Sequence, residues 1–158
     1  MMRMQSFLSA CIIFLMTSTA SMAAAEPIGH VKTTSGTAFV VNASGRVPAS
    51  VGMGLAQNDR LETGANGSIG VTLRDNTRIS LGADSEVSVS EFIFEPDREE
   101  LSLVTQITKG SLLFVSGTIA KLKPEKVKVK TPTTTIGVRG TRFVVTLDGN
   151  TCSLGIGC

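Results

Sequence analysis

The sequence contains no tryptophan and no tyrosine, and it has only seven phenylalanines. Two of them, Phe7 and Phe14, fall in an apolar segment at the N-terminus, so few remain for the rest of the chain. Single-stranded nucleic acids usually bind on exposed aromatic side chains, and sugars commonly use similar platforms. The formal net charge is only +2. Because both the aromatic platform and a strong positive charge are lacking, we predict that nucleic acid is not a partner.

Histidine occurs once, as His30, close to the predicted start of the mature chain. A serine–histidine–aspartate triad would therefore have to be built on a terminus. Carboxylates such as Glu95 and Asp97 are the residue type of glycoside hydrolysis, but they lie in a charged loop without aromatic support. No glycine-rich phosphate loop precedes a helix. We predict no enzyme activity, no catalytic residue, no cofactor and no small-molecule substrate.

Cysteine is also scarce, with Cys11 in the N-terminal segment and Cys152 and Cys158 near the other end. An even pair in an oxidising compartment favours a disulfide, so Cys152–Cys158 is the candidate bond, with free thiols as the alternative. A metal site held by two cysteines is a weaker reading, because no further cysteine and no nearby histidine would complete it. We therefore predict no metal site.

The first 25 residues have the three-part pattern of a secretory signal peptide. Arg3 provides the positive charge, an apolar run covers residues 8–16, and a small-residue stretch ends at Ala25. The pattern predicts a signal helix that is cleaved after Ala25, or after Ala23 as the second choice. The protein is then expected in the periplasm or outside the cell.

Two alternatives to a cleaved leader stay open. No charged residue lies between Arg3 and Glu26, and that stretch is long enough to cross a bilayer as an uncleaved anchor. Its second half, however, consists of threonine, serine and alanine, which suits a signal peptidase better. Residues 8–11 also resemble a lipoprotein cleavage box ending at Cys11, although the apolar run would then follow the cut. We expect membrane contact only if the leader is retained.

The rest of the chain has the composition of strands and turns, with short runs of valine, isoleucine, threonine and phenylalanine broken by glycine, asparagine, aspartate and serine. Alternation in residues 68–73, 77–81 and 86–90 predicts antiparallel strands with one buried face. Four segments share an opening of glycine, then serine or threonine, then an apolar run. They begin at Gly36, Gly67, Gly110 and Gly140. Because their spacing is too uneven for a solenoid, we predict an all-β domain of mostly antiparallel hairpins, forming a sandwich, a barrel or a short irregular β-roll.

A lysine-rich segment follows an acidic surface loop at residues 95–100. Its members are Lys121, Lys123, Lys126, Lys128 and Lys130. In residues 126–130 the lysines alternate with valines, so they share one strand face. We favour a solvated strand face, such as an edge that lysine protects from further pairing. The alternative is a basic face that binds lipid headgroups or envelope polysaccharide.

Residues 130–145, KTPTTTIGVRGTRFVV, resemble the signature end of the FecR domain family. Residues 51–64 and 71–82 resemble its upstream motifs, and the resemblance covers about residues 35–147. The matching signature residues are Thr131, Pro132, Ile136, Gly137, Val138, Gly140, Thr141 and Phe143. We interpret the signature as structural, because it ends a strand at proline, permits bends at glycine and supplies a core phenylalanine.

The resemblance implies a periplasmic fold. In the best-known members this domain is joined by one membrane helix to a cytoplasmic domain that controls a sigma factor, and it senses a loaded outer-membrane transporter. Here we expect a stand-alone exported copy without the cytoplasmic anti-sigma region. The expected divisions are a signal peptide (1–25), a lead-in (26–34), a FecR-like β domain (35–147) and a tail with the cysteine pair and a shortened last strand (148–158).

These observations predict a non-enzymatic sensory or regulatory module that binds an envelope protein. The alternative is a binder of envelope polysaccharide or of an anionic surface through the face from Lys121 to Lys130.

Overall fold

The structure is a computed structural model that describes residues 26–138, 140–148 and 151–156. The predicted signal helix lies outside the described residues. Within these ranges the chain forms thirteen strands, one short helix α1 and two 3-10 turns. The strands are β1 (Gly29–Ser35), β2 (Ala38–Asn42), β3 (Gly45–Pro48), β4 (Gly54–Leu55), β5 (Arg60–Thr63), β6 (Ser68–Leu73), β7 (Arg78–Leu81), β8 (Glu86–Glu95), β9 (Glu100–Val115), β10 (Val127–Lys130), β11 (Thr135–Gly137), β12 (Arg142–Asp148) and β13 (Thr151–Ile156). The helix α1 is Thr118–Leu122, and the 3-10 turns are Pro96–Arg98 and Pro124–Lys126.

The long strand β9 joins the two halves of one curled, half-barrel sheet. Its first part, residues 100–109, pairs with β8 on one side and with β10 on the other. Its second part, residues 110–115, pairs with β7 and β12. One half of the sheet therefore runs β3-β2-β5-β8-β9-β10-β11, and the other runs β4-β1-β6-β7-β9-β12-β13.

The prediction of an all-β, mostly antiparallel domain is confirmed. Among the strand pairs described, only β9–β10 is parallel. A parallel pair cannot be closed by a tight turn and needs a crossover, and the segment containing α1 supplies it. The third of the four glycine-led segments does not start a new strand, because residues 110–115 continue β9.

Glycine is required where β9 passes from one half of the sheet to the other. Gly110 has φ +80°, a left-handed conformation that other residues adopt at a cost. A Cβ there would lie 2.3 Å from Ser85 Oγ and 2.6 Å from Asp84 O. The close approach of the turn before β8 therefore leaves no room for a side chain.

The core follows the alternation of the strands. Val31, Val71, Ile79, Phe114 and Phe143 lie in register across β1, β6, β7, β9 and β12, and each is at most 3% exposed. The rings of Phe114 and Phe143 stack with centroids 4.9 Å apart. Burying side chains of this size contributes about 1.5–3 kcal/mol each relative to exposure. This row holds one half of the sheet together.

The structure also places strands outside the predicted domain limits. Residues 29–35, most of which were expected to form a lead-in, are β1, which pairs with β6 along its length. In the expected tail, residues 151–156 form β13, which pairs with β12. Both segments are therefore part of the sheet.

Candidate interaction surfaces

The signature residues build two turns and part of the core. Thr131 begins the turn between β10 and β11, where its Oγ1 accepts a hydrogen bond from Thr134 N at 3.0 Å. Pro132 is exposed in that turn, Gly140 has φ +106° in the turn before β12, and Phe143 is buried. Of the other signature residues, Val138 is buried, Ile136 is half-buried, and Gly137 and Thr141 are exposed. Every role visible here is a folding role.

The five predicted lysines are spread over the helix α1, the turn that follows it and the strand β10. Lys121 is exposed on α1, and Lys126 is exposed in a 3-10 turn. The Nζ of Lys123 donates a hydrogen bond to the backbone oxygen of Glu99 at 2.7 Å, so this lysine holds the β8–β9 turn. Lys128 and Lys130 share the exposed face of β10, and Val127 and Val129 are buried on its other face.

The idea that these lysines protect a sheet edge is wrong. The strand β10 pairs with β9 on one side and with β11 on the other, so it is internal to the sheet. The lysine–valine alternation identifies a strand with one wet face. It carries no information on whether the strand has neighbours on both sides.

The cysteine pair falls partly beyond the described residues. Cys152 lies in β13 and is the register partner of Leu147, whereas Cys158 lies outside the described residues. The disulfide therefore stays a prediction.

The most open edge of the sheet is β13. In the described part of the chain it pairs with β12 alone. Its six residues, Thr-Cys-Ser-Leu-Gly-Ile, include no charge and no proline, the two features that commonly block edge pairing. The other edges are shorter: β4 has two residues, β11 has three, and β3 has four and ends at Pro48.

The outer face formed by β3, β2, β5 and β8 carries mutually paired charges. Arg46 Nε lies 2.8 Å from Glu62 Oε2, and Arg60 Nη2 lies 2.9 Å from Glu62 Oε1. Arg60 Nε is also 3.5 Å from Glu86. The guanidinium of Arg46 stacks over Phe39 at 3.6 Å from the ring centroid. This face neutralises its own charge and offers little to a charged partner.

A different face carries cations that the sequence analysis missed. Arg78 on β7 and Arg142 on β12 are both register partners of Val115 on β9. Local alternation around each arginine shows that it points outward, but nothing in the sequence shows that the two share a neighbour.

Within residues 26–138, 140–148 and 151–156, no group of three or more histidine, cysteine, aspartate or glutamate side chains is placed to hold a metal ion. None of the helical segments in these ranges has the length and apolarity needed to cross a membrane.

The structure is a small, curled, all-β domain with an open edge at β13 and an outer face that carries Arg78 and Arg142. The chain belongs to the FecR protein family, whose pattern it matches over residues 59–156, more than half of its length. Domains of this family are regulatory or sensory, typically act in protein–protein signalling, and are not known as enzymes. No curated protein and no solved structure matches the chain.

Proposed function

We propose that this chain is an exported, non-enzymatic sensory or regulatory module that binds a protein of the cell envelope by strand addition at β13. The three-part leader supports export into the periplasm or beyond. Membership of the FecR family supports a role in protein–protein signalling. The single observation that carries the binding mode is the open edge of β13.

Strand addition uses the backbone groups of an edge strand. An added strand forms main-chain hydrogen bonds with the free N–H and C=O groups, and its alternate side chains provide specificity. With six residues, β13 offers a longer run of such groups than β3, β4 or β11. A partner strand would extend the half of the sheet that ends in β12 and β13.

The test is affinity capture from gently crosslinked envelopes, using the chain expressed with its own leader and reading captured proteins by mass spectrometry. Successive N–H groups of a strand face opposite sides. Proline has no backbone N–H, so Ser153→Pro and Leu154→Pro each remove one such group. One of the two variants therefore loses a hydrogen bond to β12, and the other loses only an N–H that points outwards. The variant with the more nearly native Tm is the edge variant.

We expect wild type to capture one main envelope protein and the edge variant to lose it. The matched control places proline on the opposite edge of the sheet, in β3, as Arg46→Pro or Val47→Pro. The one of these two variants with the more nearly native Tm is used, and it should retain the captured protein. Equal capture by wild type and the β13 edge variant would refute strand addition. Failure to capture any envelope protein would refute the interaction role itself.

A second candidate function is binding of envelope polysaccharide or an anionic surface through Lys126, Lys128 and Lys130. The observation in its favour is that all three side chains are exposed. This candidate requires salt-sensitive binding to purified sacculi that is lost in the double variant Lys128→Glu/Lys130→Glu. Salt-insensitive binding, or none, would dispose of it.

A further inference from the structure

A row of exposed and half-buried residues crosses five strands of the half-sheet that ends in β13. Its members are His30, Thr72, Arg78, Val115 and Arg142, each the register partner of the next on β1, β6, β7, β9 and β12. Cross-strand partners point to the same face. On each strand the neighbouring residue in the chain belongs to the buried row of Val31 to Phe143. Because neighbouring residues of a strand point to opposite faces, this row lies on the outer face.

The two arginines of this row are held side by side at a defined spacing. Both flank Val115, so their backbones are two strand spacings apart, about 10 Å. Arg78, Val115 and Arg142 line a shallow groove of about 300 Å³ with Ser80 and Leu113. A second groove shares Arg78 and Val115 and adds Lys121 from α1.

The positive charge of this face is not compensated by neighbouring carboxylates. Among the described side chains, none of Arg78, Lys121 and Arg142 has an ion-pair partner within 4.0 Å. Neither groove is lined by aspartate or glutamate. The contrast with the paired arginines on the β2–β5 face is direct, because Arg46 and Arg60 both contact Glu62.

The floor between the two arginines is apolar. Leu113 and Val115 are half-buried, and Val144, the register partner of Leu113 on β12, is 38% exposed. An apolar centre with arginine beside it is the composition of a protein-binding surface. Guanidinium groups also match carboxylates in a bidentate geometry that lysine does not reproduce.

We propose that this face, centred on Arg78, Val115 and Arg142, binds an acidic segment of a protein partner in which apolar and acidic side chains alternate. The carboxylates pair with the two arginines, and the apolar side chains pack on Leu113, Val115 and Val144. The proposal rests on the proposed function and deepens it, because β12 belongs to this face and lies next to the open edge of β13.

The chemistry of the face favours a polypeptide over the other anionic occupants. Its described residues include no phenylalanine, and the chain has no tryptophan or tyrosine, on which a sugar ring would stack. A phosphate-bearing surface would use the cations but would leave the apolar floor unfilled. An alternating acidic segment satisfies both the arginines and the floor.

The test measures binding of a synthetic peptide of alternating valine and glutamate to the full chain by fluorescence anisotropy at two salt concentrations. The key variant is Arg78→Glu/Arg142→Glu, and the matched control is Lys128→Glu/Lys130→Glu, which changes net charge equally on the other half-sheet. All four residues are exposed, and thermal unfolding confirms that each variant folds. A valine–lysine peptide, a polyuronate and anionic phosphatidylglycerol vesicles are the comparison probes.

We expect salt-dependent binding of the acidic peptide, weakened at least about tenfold by the arginine variant and less than about twofold by the lysine variant. Equal loss in both variants, equal binding of the lysine peptide, or tighter binding of the polyuronate or vesicles would overturn the proposal. The proposal would also be overturned if sedimentation showed that the chain self-associates and that the arginine variant abolishes this association. If the arginine variant still captures the envelope protein that the β13 edge variant loses, the proposed function stands and this inference fails.

Discussion

The buried carboxylate of Asp75 accepts a hydrogen bond from the backbone N–H of Ile119 at 3.2 Å. Asp75 lies in the turn between β6 and β7, and Ile119 lies in the first turn of α1. The same carboxylate accepts bonds from Thr77 N at 3.0 Å and Thr77 Oγ1 at 2.7 Å. The backbone oxygen of Asp75 accepts a bond from Thr118 N at 2.7 Å. This turn therefore anchors the start of the crossover from β9 to β10.

Removing the Asp75 carboxylate should loosen that anchor. In Asp75→Ala, Thr77 Oγ1 and the N–H groups of Thr77 and Ile119 lose an acceptor in a buried place, which we expect to cost about 2–4 kcal/mol of the free energy of unfolding. Urea unfolding at one fixed pH measures the change. Asp97→Ala, in the exposed 3-10 turn, is the control and should change stability by less than about 0.5 kcal/mol. A loss below about 1 kcal/mol for Asp75→Ala would contradict the anchoring role.

Alanine substitutions at Gly110 and Gly45 distinguish the cost of steric crowding from the cost of backbone strain. Both have positive φ, +80° and +118°, but a Cβ at Gly110 meets Ser85 and Asp84, whereas a Cβ at Gly45 meets nothing within 4 Å. We expect Gly45→Ala to cost about 1–2 kcal/mol from strain alone. Gly110→Ala should cost at least about 2 kcal/mol more, because the turn before β8 must shift. Similar unfolding midpoints in denaturant for the two variants would show that the bend in β9 tolerates a side chain.

Thr105 and Thr77 test the value of a buried hydroxyl. Both are fully buried, but Thr105 Oγ1 has no hydrogen-bond partner among the described atoms, whereas Thr77 Oγ1 bonds Asp75 and accepts from Gly117 N at 3.1 Å. Thr105→Val removes a hydroxyl that is buried without a partner, so we expect stabilisation of about 1 kcal/mol. Thr77→Val leaves Gly117 N without its acceptor and removes one of the donors to the Asp75 carboxylate, so it should destabilise by about 1–3 kcal/mol. Differential scanning calorimetry of both variants gives the comparison. Destabilisation by Thr105→Val would mean that its hydroxyl has a partner in solution.

Local patterns predicted the strands because a strand has a period of two residues, which is visible in a short window. Residues 68–73 and 86–90 were expected to bury alternate side chains, and Ile69, Val71, Val87 and Val89 are buried. The same reasoning placed Phe143 in the core. It described β10 as a strand with one wet face but wrongly suggested an edge, since the neighbours of a strand lie far away in the sequence.

The amino-acid sequence by itself determined the all-β character, most strand positions, the family and which side chains face inward, because each depends on short-range alternation, turn chemistry or a contiguous motif. Only the tertiary structure decided that one strand, β9, serves both halves of the sheet and that β10 lies parallel to it. It also decided that Asp75 contacts Ile119 and that Arg78 and Arg142 flank Val115. These relationships depend on the register of strands that are distant in the chain, and register is set by the packing of the whole sheet.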